Sequence, residues 1–262
     1  MAEIKGIDVS YYQGNIDWKK VKDSGISFAI LRAGYGKSTV DKKFVRNIEE
    51  CIKHNIPVGV YWFIYATNIQ EVLINAQKCM SLIAPYKDKI TMKVWCDFEY
   101  DTDANAKKRG VVFTKEMRTS MVKAFCDAVK SGGYEVGVYA NPDYLNTKFN
   151  DLSMYHLWLA KYSSNKGDYD CDMWQYSSKG KVKGISGNVD MNIYYGETIK
   201  VIEYYPKPNF TLLQSLEEVG APIDFASRVK IASANGITNY KGTSEQNLKM
   251  LDLLNNGKLI KP

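Results

Sequence analysis

Lys93-Val94-Trp95-Cys96-Asp97-Phe98-Glu99-Tyr100-Asp101 begins apolar and ends in acids. Its first half suits a buried β-strand. Side chains at i and i+2 of a strand leave the same face, with Cα atoms roughly 6.5–7 Å apart. Asp97 and Glu99 are therefore expected to point into one space while Phe98 packs the other way. Two carboxyls on a shared face repel unless their surroundings keep one protonated and the other charged. Cleavage of a glycosidic bond uses such a pair, a proton donor beside a negative charge. A solvated Asp-x-Glu is also a common way for a strand to end, and the fragment alone leaves both readings open.

Working outward, the same strand grammar recurs. Ile4–Val9, Phe28–Gly34, Val58–Phe63 and Val136–Ala140 read as short buried strands. Amphipathic helices are expected between them: from Asp17 to Ser24-Gly25, over Asp41–His54, over Ile69–Ile83, and from the Thr114 cap to Gly132-Gly133. A short helix should begin at Pro142. Leu157–Ala160, Met173–Tyr176 and Val189–Asn192 then follow as strands with only loops between them. Five strand–helix units and three bare strands argue for an α/β fold whose strands close into a parallel barrel. Tyr204-Tyr205-Pro206-Lys207-Pro208-Asn209 reads as a stiff linker, 204–209, which divides a domain over 1–203 from one over 210–262. The second reads as three helices, is too small for a large core, and carries no acid pair, so binding or assembly is its expected task.

The composition narrows the function classes. A chain of 262 residues with 45% hydrophobic and 24% charged residues is ordinary for a globular protein with a sizeable core. The net charge of +6 is spread thinly, without a dense Lys/Arg run, which speaks against nucleic acid as partner. No apolar run reaches the length of a membrane span, and the first residues lack the n- and h-regions of a signal peptide. Synthesis as a cytoplasmic product is the expectation. Five widely spaced cysteines without a CxxC pair, and two histidines, point to buried thiols rather than zinc or disulfides. No cofactor or metal is expected.

At the C-terminal ends of the expected strands stand Asp8, Arg32, Tyr61, Asp97 with Glu99, Tyr139, Gln175 and Asp190. In barrels of parallel strands that rim is where active sites lie. Structural alternatives stay open for several of them. Asp8 could satisfy backbone amides, Asp190 with Asn192 could anchor a turn, and Arg32 could pair with these acids instead of a ligand. The tryptophans could simply pack.

This set of residues resembles the glycoside hydrolase family 25 muramidases, the phage and bacterial lysozymes of the Chalaropsis type. The resemblance is carried in order by Gly6–Ser10, Gln13-Gly14, Ile16–Trp18, Arg32–Gly36, Gly59–Phe63, Asp97–Glu99, Gly137–Asn141, Leu157–Tyr162, Trp174–Tyr176 and Val189–Asn192. It implies a (β/α)5(β)3 barrel of the TIM type, with a small C-terminal all-α domain beside it. It also implies endo-hydrolysis of the β-1,4 bond from N-acetylmuramic acid to N-acetylglucosamine in peptidoglycan. By the same resemblance Glu99 is the general acid, and Asp97 either attacks the sugar or steadies an oxazolinium formed by the substrate's own acetamide. Asp190 and Asp8 orient that pair. Tyr61, Tyr139, Trp62, Trp158, Gln175 and Arg32 hold the glycan. The tail is similar, more weakly, to C-terminal modules of clostridial phage endolysins through Ile231-Ala232, Asn235–Ile237, Gly242-Thr243 and Gln246-Asn247. That implies a wall ligand for 210–262, or a homo-oligomer through it, and access to the wall after holin-type release. A chitinase-like hydrolase is a weaker fit, because Lys93 and Val94 stand where that pattern has acids. A sugar-binding barrel without activity would have no reason to keep Asp8, Asp97, Glu99 and Asp190.

Overall fold

The structure is a computed structural model that describes residues 4–196 and 211–262. The chain divides into two compact units, 1–200 and 201–262. The expected linker, 204–209, and the boundary at 203 lie outside the described residues.

In the first unit the strands are β1 (Ile4–Val9), β2 (Phe28–Tyr35), β3 (Thr39–Val40), β4 (Val58–Phe63), β5 (Ile90–Asp97), β6 (Val136–Ala140), β7 (His156–Ala160), β8 (Met173–Gly180) and β9 (Val189–Tyr194). They pair in the order β1-β9-β8-β7-β6-β5-β4-β2-β3, and a further β1–β2 pairing closes the sheet into a barrel from which β3 hangs as a short hairpin arm. The helices are α1 (Trp18–Asp23), α2 (Phe44–Lys53), α3 (Ile69–Ile83), α4 (Tyr100–Lys108) and α5 (Lys115–Ser131). The expectation of a wholly parallel barrel is corrected at one strand, since β9 runs antiparallel to both β8 and β1. Only residues 181–188 join β8 to β9, a link shorter than the roughly dozen residues a parallel crossover needs, so the chain turns straight back into an antiparallel pair. The short helix expected after Pro142 is a single π-helical turn, Tyr144–Lys148.

Strand alternation sorts the core into two layers. Inside the barrel lie Phe28, Ile30, Met92, Trp95, Trp158 and Met173, with Tyr61 and Tyr139 packed on them. Gly137 gives up its side chain to this layer, because a Cβ there would stand 2.3 Å from the Trp95 ring. Outside, Val58, Val60, Trp62, Val94 and Cys96 pack under the helices. All five cysteines are buried free thiols, and Cys96 lies in this outer layer, away from the barrel mouth.

Helix α4 is absent from the sequence expectations, for a physical reason. Only Thr102 and Ala106 of its residues are buried, so it has no apolar stripe to read. It is fixed by ion pairs instead. Arg109 grips Glu71 of α3 with both guanidinium nitrogens, Nη1 at 2.8 Å, and Asp103 accepts from Arg118 Nε at 2.9 Å and from the Tyr144 hydroxyl. Its readable signal is charge, with Asp101 and Asp103 in the first turn and Lys107 and Lys108 in the last, which suits the helix dipole.

The second unit contains α6 (Leu212–Glu218), α7 (Phe225–Ala234) and α8 (Ser244–Asn255). Leu212, Leu216, Ile231, Met250, Leu254 and Leu259 form its own small core. Asp224 caps α7, and Thr243 with Gln246 forms a capping box on α8, as their sequence positions suggest.

Candidate active site

Asp8, next to last in β1, stands opposite Asp190 in the antiparallel β1–β9 register. Directly opposed residues of such a pair lie on one face, so the two carboxyls share the barrel mouth. Asp97 is the last residue of β5, between Phe63 of β4 and Tyr139 of β6. Glu99 has left the strand, but its φ of −142° and ψ of −167° keep the backbone extended and its side chain on the Asp97 side. It is the N-cap of α4. Its backbone N–H donates to Thr102 Oγ1 at 3.3 Å, and Thr102 donates in turn to the Ile64 carbonyl at 2.7 Å, which locks the start of α4 to the end of β4. The grip on Asp103 and Arg109 described above thus sets where Glu99 points.

A cleft of about 460 Å³ opens at this rim. Asp8, Asp97, Glu99 and Asp190 line it, as do Arg32, Tyr61, Tyr139, Trp158 and Gln175, so nine of the ten side chains assigned from sequence converge. Trp62 does not, and its assignment to the glycan groove is corrected. It is fully buried on the outer face of β4, where its indole N–H donates to the Gly36 carbonyl at 3.1 Å and Asn75 Oδ1 at 3.2 Å. Neighbouring strand residues face opposite ways, so Tyr61 and Trp62 cannot both reach the cleft. Trp158 forms the floor, with its ring 4.8 Å from Tyr139 and 6.1 Å from Tyr61.

One hydrogen-bond chain crosses the floor. The hydroxyls of Tyr139 and Tyr162 donate to Gln175 Oε1 at 2.9 and 3.0 Å. Gln175 Nε2 donates to Asp8 Oδ2 at 2.8 Å, and Asn192 Nδ2 donates to the same oxygen at 2.8 Å. Asn192 Oδ1 accepts the Trp158 indole N–H at 2.8 Å. On the opposite wall Arg32 Nε donates to Asp41 Oδ2 at 2.8 Å. The guanidinium lies 5.0, 5.5 and 5.4 Å from the rings of Tyr11, Tyr12 and Tyr35. Arg32 therefore pairs with Asp41 rather than with the cleft acids. Its Nη2 is buried without a hydrogen-bond partner, and so is Asp97 Oδ1. Unsatisfied buried groups are rare enough that two in one cleft point to a ligand with both a donor and an acceptor.

Burial raises the acids unequally. Glu99 is pushed up to about 7 by burial, then by Asp101 and Asp190. Asp190 is raised to about 6 by burial. Asp8 reaches about 8 through burial and Asp190, against its two amide hydrogen bonds. Asp97 rises well above the carboxylate range through burial, Glu99 and Asp8, while Arg32 pulls it back. The site thus has the means to hold protons on some carboxyls and charge on others near neutral pH.

Asp41, Asn192 and Tyr162 have no assigned role at the site in the sequence reading. Tyr162 and Asn192 lie within the strand-end motifs, and the alternation from Trp158 and Asp190 is the signal that reaches them. Asp41 sits after β3, a two-residue strand too short to read.

The profile described as Glycosyl hydrolases family 25 matches residues 7–185. Lysozyme M1 of Streptomyces globisporus is 28% identical over 209 residues, 76% of this chain and 70% of that protein. The modular autolysin LytC of Streptococcus pneumoniae, solved in complex with a synthetic peptidoglycan ligand, superposes with a TM-score of 0.64 and 29% identity. It covers 74% of this chain, which spans only 47% of LytC. The CTP1L endolysin shares the fold with a TM-score of 0.63 at 24% identity, over 83% of this chain and 80% of that one. With a matched profile over most of its length and these relatives, the chain belongs to glycosyl hydrolase family 25 and is a glycoside hydrolase of the lysozyme class.

Proposed function

We propose that the protein is an endo-acting β-1,4-N-acetylmuramidase, which cleaves peptidoglycan between N-acetylmuramic acid and N-acetylglucosamine. The observation that carries this reading is the pair Asp97 and Glu99, one buried carboxyl and one half-buried carboxyl lining the same cleft, with Glu99 raised to about 7. Glu99 protonates the leaving oxygen. Asp97 Oδ1, buried without a partner, is placed to accept the N–H of the substrate's acetamide as its carbonyl oxygen attacks the anomeric carbon. The N–H keeps its proton in that step, the glycosidic bond breaks, and a bicyclic oxazolinium carries the positive charge beside Asp97. Water then opens it, with Glu99 as base. Arg32 Nη2, Tyr61 and Tyr139 supply donors for the sugar, and Trp158 its floor. Mass spectrometry of digested peptidoglycan tests the reading, with muramic acid expected at every new reducing end. Glucosamine there would make the protein a glucosaminidase.

The second unit is read as a wall-binding module, with homo-oligomerisation as its other use. Work at the wall as a phage endolysin, after holin-type release from a Gram-positive host, belongs to the same reading, while the likeness to the CTP1L endolysin, at 24% identity, is one of fold. Removing residues 210–262 is expected to weaken binding to intact walls by about tenfold or more, since two linked sites bind far better than one. Cleavage of soluble glycan fragments should stay within about twofold. Co-sedimentation with purified walls and release of reducing ends measure the two effects. Undiminished sedimentation of the shortened chain would remove the targeting role.

A further inference from the structure

Charge balance in the cleft poses a question that the reaction scheme leaves unanswered. Among the described residues lining it are five carboxyls, Asp8, Asp97, Glu99, Asp101 and Asp190, and one guanidinium, Arg32. Arg32 already serves Asp41. Asp8 is 6% exposed, and Asp190 stands opposite it in the β1–β9 register, where Cα atoms are about 4.5–5.5 Å apart. Two ionised carboxylates at that range, without a cation, are costly.

The hydrogen bonds say which oxygen is free to hold a proton. An indole N–H can only donate, so the Trp158 contact fixes Asn192 with its amide oxygen toward Trp158 and its NH2 toward Asp8. Gln175 accepts the two phenols at Oε1 and donates from Nε2 to the same Asp8 oxygen. Asp8 Oδ2 thus receives two N–H donors and serves as an acceptor.

We propose that Asp8 works as a neutral acid: it and Asp190, face to face across β1 and β9, hold one proton between them, and that proton sits on Asp8 Oδ1. The inference rests on the muramidase reading of the same cleft. The titratable groups that face Asp8 are Asp190 on β9, Asp97 on β5, Glu99 at the start of α4, Tyr61 on β4, Tyr139 on β6 and Tyr162 after β7. With Asp8 neutral, Asp97 and Asp190 each lose a like-charged neighbour and can stay ionised. Anionic Asp190 in turn keeps the proton on Glu99. Asp8 is then a positioning residue that acts through Asp190 and Asp97, and four of the five carboxyls divide into two proton holders, Asp8 and Glu99, and two anions, Asp190 and Asp97.

The test is infrared difference spectroscopy of the full chain near neutral pH, Glu99→Gln against Glu99→Gln with Asp8→Asn. The Glu99→Gln background removes the other standing acid. A carbonyl stretch of an un-ionised carboxyl that disappears with the second substitution is the expected result, and no difference there overturns the proposal. In the otherwise unaltered enzyme, Asp8→Asn should lower kcat/KM by only about tenfold, because the amide keeps an acceptor for Gln175 and Asn192 and a donor in place of Oδ1–H. Asp8→Ala, which strands both buried amides, should cost about a hundredfold. The Asn variant should also shift the alkaline limb of the pH profile. A folded Asp8→Asn as inactive as Glu99→Gln would show that the charge, not the proton, is needed. Wild-type protein without muramidase products would remove the functional reading, and the infrared band would still decide the proton.

Discussion

Glu99→Gln is expected to lower turnover of peptidoglycan by about a thousandfold, the usual scale for losing a general acid, while the protein gains stability. Glutamine keeps the volume and the polar contacts of the side chain and cannot deliver a proton. The wild-type pH profile should fall on the alkaline side as Glu99 loses its proton at about 7. Stability moves the other way. Burial raises this carboxyl from 4.5 in the free residue to about 7 in the fold, so the folded state binds a proton that the unfolded chain has released. Stability is therefore lost as pH rises from about 4.5 to about 7, and the loss is complete above that range. Glutamine escapes it, with a gain of about 1–3 kcal/mol at mildly alkaline pH and little near pH 4. Release of reducing ends and thermal unfolding at the two pH values read both effects. Lysis near the wild-type rate would end the assignment of Glu99 as the acid.

The same trade explains why so much of the site is legible in the sequence. Acids withdrawn from water at strand ends are expensive, and nothing in packing asks for them, so the buried Asp8 and Asp97 and the half-buried Glu99 and Asp190 stand out against the apolar strands that carry them. Strand period then places them. Asp97 and Glu99 share a face because the backbone stays extended for two residues past β5, even though Glu99 already caps α4. That rule, applied to Gly59–Phe63, would also have excluded Trp62. The family motif put it beside Tyr61, and alternation sends it to the helix layer. What stayed hidden is what depends on long-range partners. Helix α4 is held by Glu71, Arg118 and Tyr144 rather than by an apolar face, and Asp41 meets Arg32 only through the small β3 hairpin. The reversal of β9 follows from the short link over 181–188, which hydrophobic period does not report.

Asp97→Asn is the second large effect, and it separates two ways of reaching the same product. The variant is expected to lose about 10²–10³ in kcat, the scale of a single preorganised partner for developing charge. Asparagine can still meet the acetamide through its amide oxygen, but it carries no charge to set against the oxazolinium. The loss should therefore grow in the transition state and leave KM nearly unchanged. A thiazoline analogue of the bicyclic intermediate, protonated at the ring nitrogen, should bind the wild type far more tightly than the substrate does and lose most of that advantage in Asp97→Asn. Glycan stripped of the acetyl group on its muramic acid should resist the wild-type enzyme, because the internal nucleophile is gone. Direct attack by Asp97 makes the opposite demands. The amide would then abolish the first step outright, de-acetylated glycan would remain a substrate, and rapid quenching would leave the mass of a sugar on the peptide containing Asp97. The buried, unpartnered Oδ1 favours the first scheme, since an oxygen held for an N–H contact needs the acetamide beside it, and the acetamide is the better-placed nucleophile once it is there.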